Sequence, residues 1–206
     1  MSGDAVIGGW ERLVGASSMV DVLDAQEDVD GEALIRDIAP LVDADAPEWL
    51  QHLVIPPGWT RIEPPAGQRD ALARLLVAGP RPDGGWEAAE TLRVVAYTGY
   101  AAFHDVADNA ARTLRDLGAS AISSRVLRIP PQRWVVAVRA EGIVDLGVRP
   151  VLMCQSNYLA GSEEPGAGRL IVHTLLIDTA ALPRWSADMD RLSAAVQDGF
   201  AGSLGC

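Results

Sequence analysis

Histidine, cysteine and arginine are the side chains of this 206-residue chain whose chemistry could build a site. The three histidines, His52, His104 and His173, are far apart and form neither His-x-His nor His-Glu-x-x-His. The spacing that puts two imidazoles on one metal ion is therefore missing, and no metal site is predicted. Cys154 and His173 fall in neighbouring apolar runs, where antiparallel pairing could bring thiol and imidazole together as nucleophile and base. Against this, a lone thiol in an apolar strand usually behaves as a small hydrophobe. A histidine beside Thr174 in such a strand is more often a core or sheet-face residue satisfied by a hydrogen bond than a catalytic one. No Gly-x-Ser-x-Gly elbow or Gly-x-Gly-x-x-Gly loop is present, and Gly84-Gly85 and Gly166-Ala-Gly168 lack the strand-to-helix context that phosphate binding needs. The sequence predicts no catalytic residues and no cofactor.

Arginines and tryptophans carry more information. Arg125, Arg128, Arg133, Arg139 and Arg149 all fall in the central strands and turns. Sharing one sheet face, Arg125, Arg139 and Arg149, with His173, would be candidates for holding a carboxylate or phosphate through paired N–H donors. Arg128 cannot join Arg125 in one strand, since that spacing points to opposite faces. The competing reading makes these solvated edge arginines balanced by Glu141 and Asp145. Of six tryptophans, Trp10, Trp49, Trp86 and Trp185 are candidate anchors for a protein partner, Trp10, Trp86 and Trp185 because they fall in loops or at element edges. The same rings could instead clamp the N-terminal segment onto the sheet.

The elements that must position these residues follow from periodicity. Met19, Val22 and Leu23 lie on one helical face, and Leu34, Ile35, Ile38 and Leu41 form a second stripe, with Asp30 as its N-cap. A third helical turn is predicted around Asp45–Leu50, ending before Pro56-Pro57-Gly58. Residues 1–55 therefore read as an N-terminal helical arm, and 56–206 as the main domain. Short helices cannot bury their stripes alone, so the arm lies on its own domain or forms a homodimer.

Beyond it, Trp59–Glu63 reads as a strand. Within Ala71–Ala78, Leu72, Leu75 and Leu76 fit a helix, but the run ending at Gly79-Pro80 favours a strand from Ala73, which joins Thr91–Tyr97 through the turn at Pro82–Gly85 as a hairpin. One helix is predicted from His104 to Leu117, with Asp105 as N-cap and Gly118 as the left-handed stop. Strands Ile122–Ile129, Trp134–Glu141, Val148–Tyr158 and Arg169–Asp178 follow, with a bulge predicted in the stretch Gly142–Gly147. Their short links imply antiparallel pairing. A closing helix starts at Ser186 and turns Met189, Leu192, Val196 and Phe200 inward. The fold class is thus α+β, a mostly antiparallel β-sheet flanked by helices, with an N-terminal helical arm.

That order of elements resembles the Mog1/PsbP-like fold, and within it the LpqN/LpqT-like proteins of actinobacteria. Pro57-Gly58-Trp59, the Leu92–Tyr97 strand leading through Phe103 into Val106–Leu117, and the Asp188–Phe200 helix after Leu170–Ile177 carry the likeness. It covers roughly residues 57–202. Many such relatives are lipoproteins with a signal peptide and a lipidated cysteine, and this sequence shows neither. The resemblance implies a binding or accessory protein and brings no catalytic residues with it.

Composition narrows the function classes. Hydrophobic residues at 49% and charged residues at 22% suit a globular chain, and no apolar run reaches the roughly 20 residues of a membrane span. Net charge is −11, and all 17 basic residues are arginine, so binding to a nucleic-acid backbone is excluded and a basic partner is favoured. With no secretory segment and two cysteines, Cys154 and Cys206, outside any disulfide pattern, the expected setting is cytoplasmic. The sequence therefore predicts a non-enzymatic protein-interaction partner of accessory, chaperone-like or neutralising type. The alternative is a small-ligand-binding protein or minor enzyme with a pocket between sheet and helix.

Overall fold

A computed structural model describes residues 12–13, 16–27, 34–42, 45–64, 71–82, 84–99, 101–147, 149–161 and 166–204. Trp10, the Asp30 cap and Cys206 lie outside the described residues.

The sheet is organised by its two longest strands. Those we call β4 (Trp86–Gly99) and β8 (Gly166–Asp178) pair antiparallel from Ala88↔Ile177 to Gly99↔Gly166. Both need cover on each face, so they lie in the middle. Outward from β4 come β3 (Arg74–Pro80) and β2 (Trp59–Arg61); outward from β8 come β7 (Pro150–Ala160), β6 (Val135–Asp145) and β5 (Ser120–Val126). All ladders are antiparallel. The α+β class and the predicted hairpin are as expected, though β4 begins five residues before Thr91.

The second helical stripe is a strand. Residues Ile35–Pro40 form β1, which pairs with β4 from Ile35↔Gly99 to Pro40↔Val95. The cause is hydrogen-bond bookkeeping: β3 covers β4 only from Trp86 to Leu92, and the N–H and C=O groups beyond need partners. That demand overrides the helical spacing of Leu34, Ile35, Ile38 and Leu41. The expected helix at Met19 does form, as α1 (Met19–Asp24), and the expected turn at Asp45–Leu50 forms as α2 (Glu48–Gln51). Met19, Val20, Leu23 and Ile35 are buried in the core that underlies the main sheet.

The helix predicted from His104 to Leu117 is two: α3 (Phe103–Asp108) and α4 (Arg112–Asp116). Asn109 breaks it by donating its side-chain N–H to the Asp105 carbonyl, so the backbone turns before Arg112. Ala102, not Asp105, holds the cap position, and the Asp105 carboxylate instead accepts from Gln26 at 3.1 Å, tying the end of α1 to α3. Gly118 has φ +71 and supplies the predicted stop. Gly142 carries no bulge against β7, since β6 runs without a register shift from Val135 to Asp145; the irregularity is in β5, between Ser120 and Ser123.

The closing helix, α5 (Leu182–Ser203), starts four residues earlier than Ser186. Pro183 fits its first turn, and Asp178 caps the preceding 3-10 turn by accepting from the Ala180 N–H at 2.9 Å. Its residues Met189, Leu192, Val196 and Phe200 are buried as predicted. The helices α1, α3 and α4 cover one sheet face, here face A, and α2 and α5 cover part of the other, face B.

Two glycines of α5 test this packing in opposite directions. A Cβ at Gly199 would lie 2.2 Å from Cε3 of Trp49 on α2, whereas one at Gly202 would meet nothing. Alanine at either position gains up to about 1 kcal/mol of helix propensity. At Gly199 the overpacking penalty, about 1–3 kcal/mol, outweighs that gain. Urea denaturation should therefore show Gly202→Ala stabilised and Gly199→Ala destabilised; equal shifts for the two would mean that Trp49 does not dock on α5.

Candidate functional site

Face B holds a row of polar side chains that begins buried and ends in solvent. At the buried end Glu90 on β4 is 0% exposed, and its carboxylate accepts from Arg74 Nε on β3 at 2.8 Å and from His173 Nε2 on β8 at 3.0 Å. Arg74 also donates to the carbonyls of Leu53 and Val54, fastening the segment after α2 to the sheet. Burial lowers the Arg74 pKa, and the Glu90 charge offsets part of that. His173 is 1% exposed, with its Nε2 engaged by Glu90.

The row continues through Ser156, which is paired opposite His173 and accepts from Arg139 Nε at 2.8 Å. Arg139 stands directly opposite Arg125, so two of the arginines singled out from sequence do share a face. Like charges so placed repel. Glu141 lies two pairs further along, on the same face, accepting from the Ser123 hydroxyl at 3.2 Å. Cys154 is opposite Leu175, not His173, and its sulfur lies 3.9 Å from Glu141. Burial, then the Glu141 charge, pushes its thiol up to about 11, so at neutral pH it holds almost no thiolate. The geometry makes Cys154 a buried small hydrophobe.

At this end the sheet is uncovered. Every residue of β5 is exposed, and among the described residues no strand pairs with its outer edge. Val126 is 67% exposed, and Ile122 and Ile143 are each 37% exposed. Arg125 and Val126 thus turn to opposite faces of a bare strand edge, the kind of surface natural proteins seldom leave open.

The other candidates are elsewhere. Arg149 lies near the far end of β7, where with Arg81 it pairs to Asp178; its Nη1 is 3.4 Å from that carboxylate. Trp185 is buried, donates to Glu87 at 2.8 Å, meets Trp59 edge-on at 5.8 Å between centroids, and lies under the Arg184 guanidinium at 4.7 Å. Trp49 is half-buried on α2 against α5, and Trp86 is half-buried at the start of β4. Arg61 and Arg74, with Ala73, line two adjoining clefts of about 450 Å³ each beside β2 and β3. Among the described residues no group of three or more His, Cys, Asp or Glu is placed to hold a metal ion, and no helix is long and apolar enough to cross a membrane.

Sequence reasoning passed over Arg74, Glu90 and Arg93. The signal was there, since each is a lone charge inside an apolar strand run, and the predicted hairpin would have set Arg74 and Glu90 nearly opposite.

No family model matches the chain, and no curated protein matches it in sequence. Among solved structures it is similar to LpqN of Mycobacterium tuberculosis, described as involved in cell envelope biogenesis. The likeness has a TM-score of 0.59 at 10% identity, over 89% of this chain and 96% of that one. At that identity the likeness is one of fold.

Proposed function

We propose that this protein is a non-enzymatic accessory protein that binds an extended, acidic segment of another polypeptide along the free edge of β5. The exposed, unpaired strand supports this reading above all. An added strand would satisfy its outward N–H and C=O groups, and alternate side chains would fall on face B beside Arg125 and Arg139. Two guanidinium groups on a chain of net charge −11 form a local positive spot, which selects carboxylates and fixes the register of the incoming strand. A basic partner, favoured by the net charge, would have to meet the acidic surface elsewhere while presenting acidic residues here.

The wider setting belongs to the same proposal. The fold likeness supports a distant place among LpqN/LpqT-like proteins of the Mog1/PsbP-like type, and the buried free thiol of Cys154 supports a cytoplasmic location. A dimer formed through residues 1–55 has less in its favour, since Met19, Leu23 and Ile35 are buried within their own chain.

Affinity capture from native extract, with the whole chain and with Arg125→Glu/Val126→Asp, tests the reading. Both positions are exposed, so stability should stay within about 0.5 kcal/mol. A defined partner should be recovered by the wild type and reduced at least tenfold by the variant. Equal recovery by both, or no partner at all, would overturn it.

A further inference from the structure

Face A, beside the helices, has a half-open, partly polar cavity that neither the fold nor the β5 edge requires. It has a volume of about 300 Å³ and lies between the sheet and α1 and α4. Thr91 and Arg93 of β4, Thr174 of β8 and Gln155 of β7 form its floor; Thr113 of α4 and Asp21 of α1 face them. Leu13, Ala16 and Leu72 give it an apolar side.

Several of these groups have hydrogen-bonding capacity left over. Thr113 is 4% exposed, and its hydroxyl has no partner among the described residues. The Arg93 Nε is buried without an acceptor among the described residues. Burial lowers the Arg93 pKa, and the Asp21 charge opposes this only in part. Asp21 is itself occupied, accepting from the Ser18 N–H and from the Ser18 hydroxyl at 2.9 Å. Just beyond the cavity, two residues along β7 from Gln155 and on the same face, Asn157 is 0% exposed, with neither amide atom partnered among the described residues. Each such group left in a dry core costs about 1–3 kcal/mol. A folded chain carries that cost in one layer when something else fills the valence.

We infer that this cavity binds a small aliphatic monocarboxylic acid, its carboxylate held by the Arg93 guanidinium and the Thr113 hydroxyl and its hydrocarbon end resting on the Leu72 side. The charges choose the class. Arg93 is the one cation among the described lining residues and Asp21 across the cavity already offsets part of its charge, so the site has room for a single negative charge at most, and a phosphate dianion would be repelled more strongly. Guanidinium and carboxylate are also matched in shape for paired hydrogen bonds. The volume leaves room for only a short chain beyond the head group. This site is on the opposite sheet face from the Arg125–Arg139 pair, so it stands or falls independently of the β5 proposal.

The test uses the full chain with hexanoate as probe and hexanamide and inorganic phosphate as controls. Hexanoate at ten times its dissociation constant should raise Tm by about 3–5 °C, and hexanamide and phosphate should not. Arg93→Met should abolish the shift. Thr113→Val keeps the shape and removes only the unpartnered hydroxyl. It should leave the unliganded Tm equal or higher while weakening hexanoate at least fivefold, an outcome that a merely structural threonine would not give. No saturable shift with hexanoate, a shift with phosphate in its place, or wild-type affinity in both variants would overturn the inference. Should Arg93→Met not fold, the Thr113→Val comparison decides it.

Discussion

Glu90→Leu is expected to destabilise the protein by about 3–5 kcal/mol, the cost of leaving a buried charge without its partner. Glu90 is 0% exposed and is the acceptor shared by Arg74 and His173, themselves 6% and 1% exposed. Leucine removes the anion and leaves a guanidinium, whose pKa burial already lowers, facing an aliphatic side chain. Arg74 cannot easily escape to water, because its other nitrogens hold the carbonyls of Leu53 and Val54. The double variant Arg74→Met/Glu90→Leu should recover most of the loss, since a buried ion pair replaced by apolar volume is often neutral or stabilising. The freed carbonyls are near the surface, where Val54 is 73% exposed, and can be hydrated. Guanidinium denaturation of the three proteins measures all of this. A single variant within 1 kcal/mol of wild type would show that the carboxylate contributes no net stability at this position.

The same cluster shows what the sequence could and could not tell. The class of His173, a sheet-face histidine in an apolar strand, follows from its neighbours; its partner does not, because Glu90 is 83 residues away and only the β4–β8 register brings them together. Arg125 and Arg139 became a pair in the same way. Alternation gives each a side, but a shift of one residue in pairing would have separated them. Elements set by local chemistry were legible, among them α1, the hairpin between β3 and β4, the glycine stop at Gly118 and the inward face of α5. The elements that were not legible answer to distant demands. Residues 35–40 became a strand to complete the edge of β4, and a side-chain bond from Asn109 split the helix after Asp108. The cavity at Arg93 was hidden for a further reason, since leftover hydrogen-bonding valence is a property of packing and not of residue type.

Gly168→Ala is expected to cost about 3 kcal/mol, although alanine is the better residue in a strand by up to about 1 kcal/mol. Gly168 is directly opposite Tyr97 in the β4–β8 ladder, and the tyrosine ring lies across it. A Cβ there would sit 2.1 Å from Tyr97 Cζ, and the ring is 1% exposed in the face A core, with nowhere to swing. The backbone at Gly168 is ordinary, without a positive φ, so conformational strain adds nothing and the whole effect is steric. A double-mutant cycle isolates it: in a Tyr97→Ala background, itself about 3–5 kcal/mol less stable, the cost of Gly168→Ala should vanish or change sign. Tyr97→Phe should go the other way and gain about 1 kcal/mol. The Tyr97 hydroxyl is buried without a partner among the described residues, and burial pushes its pKa up to about 12. If Gly168→Ala cost as much without the ring as with it, the clash would lie elsewhere and the ring-over-glycine arrangement would be wrong.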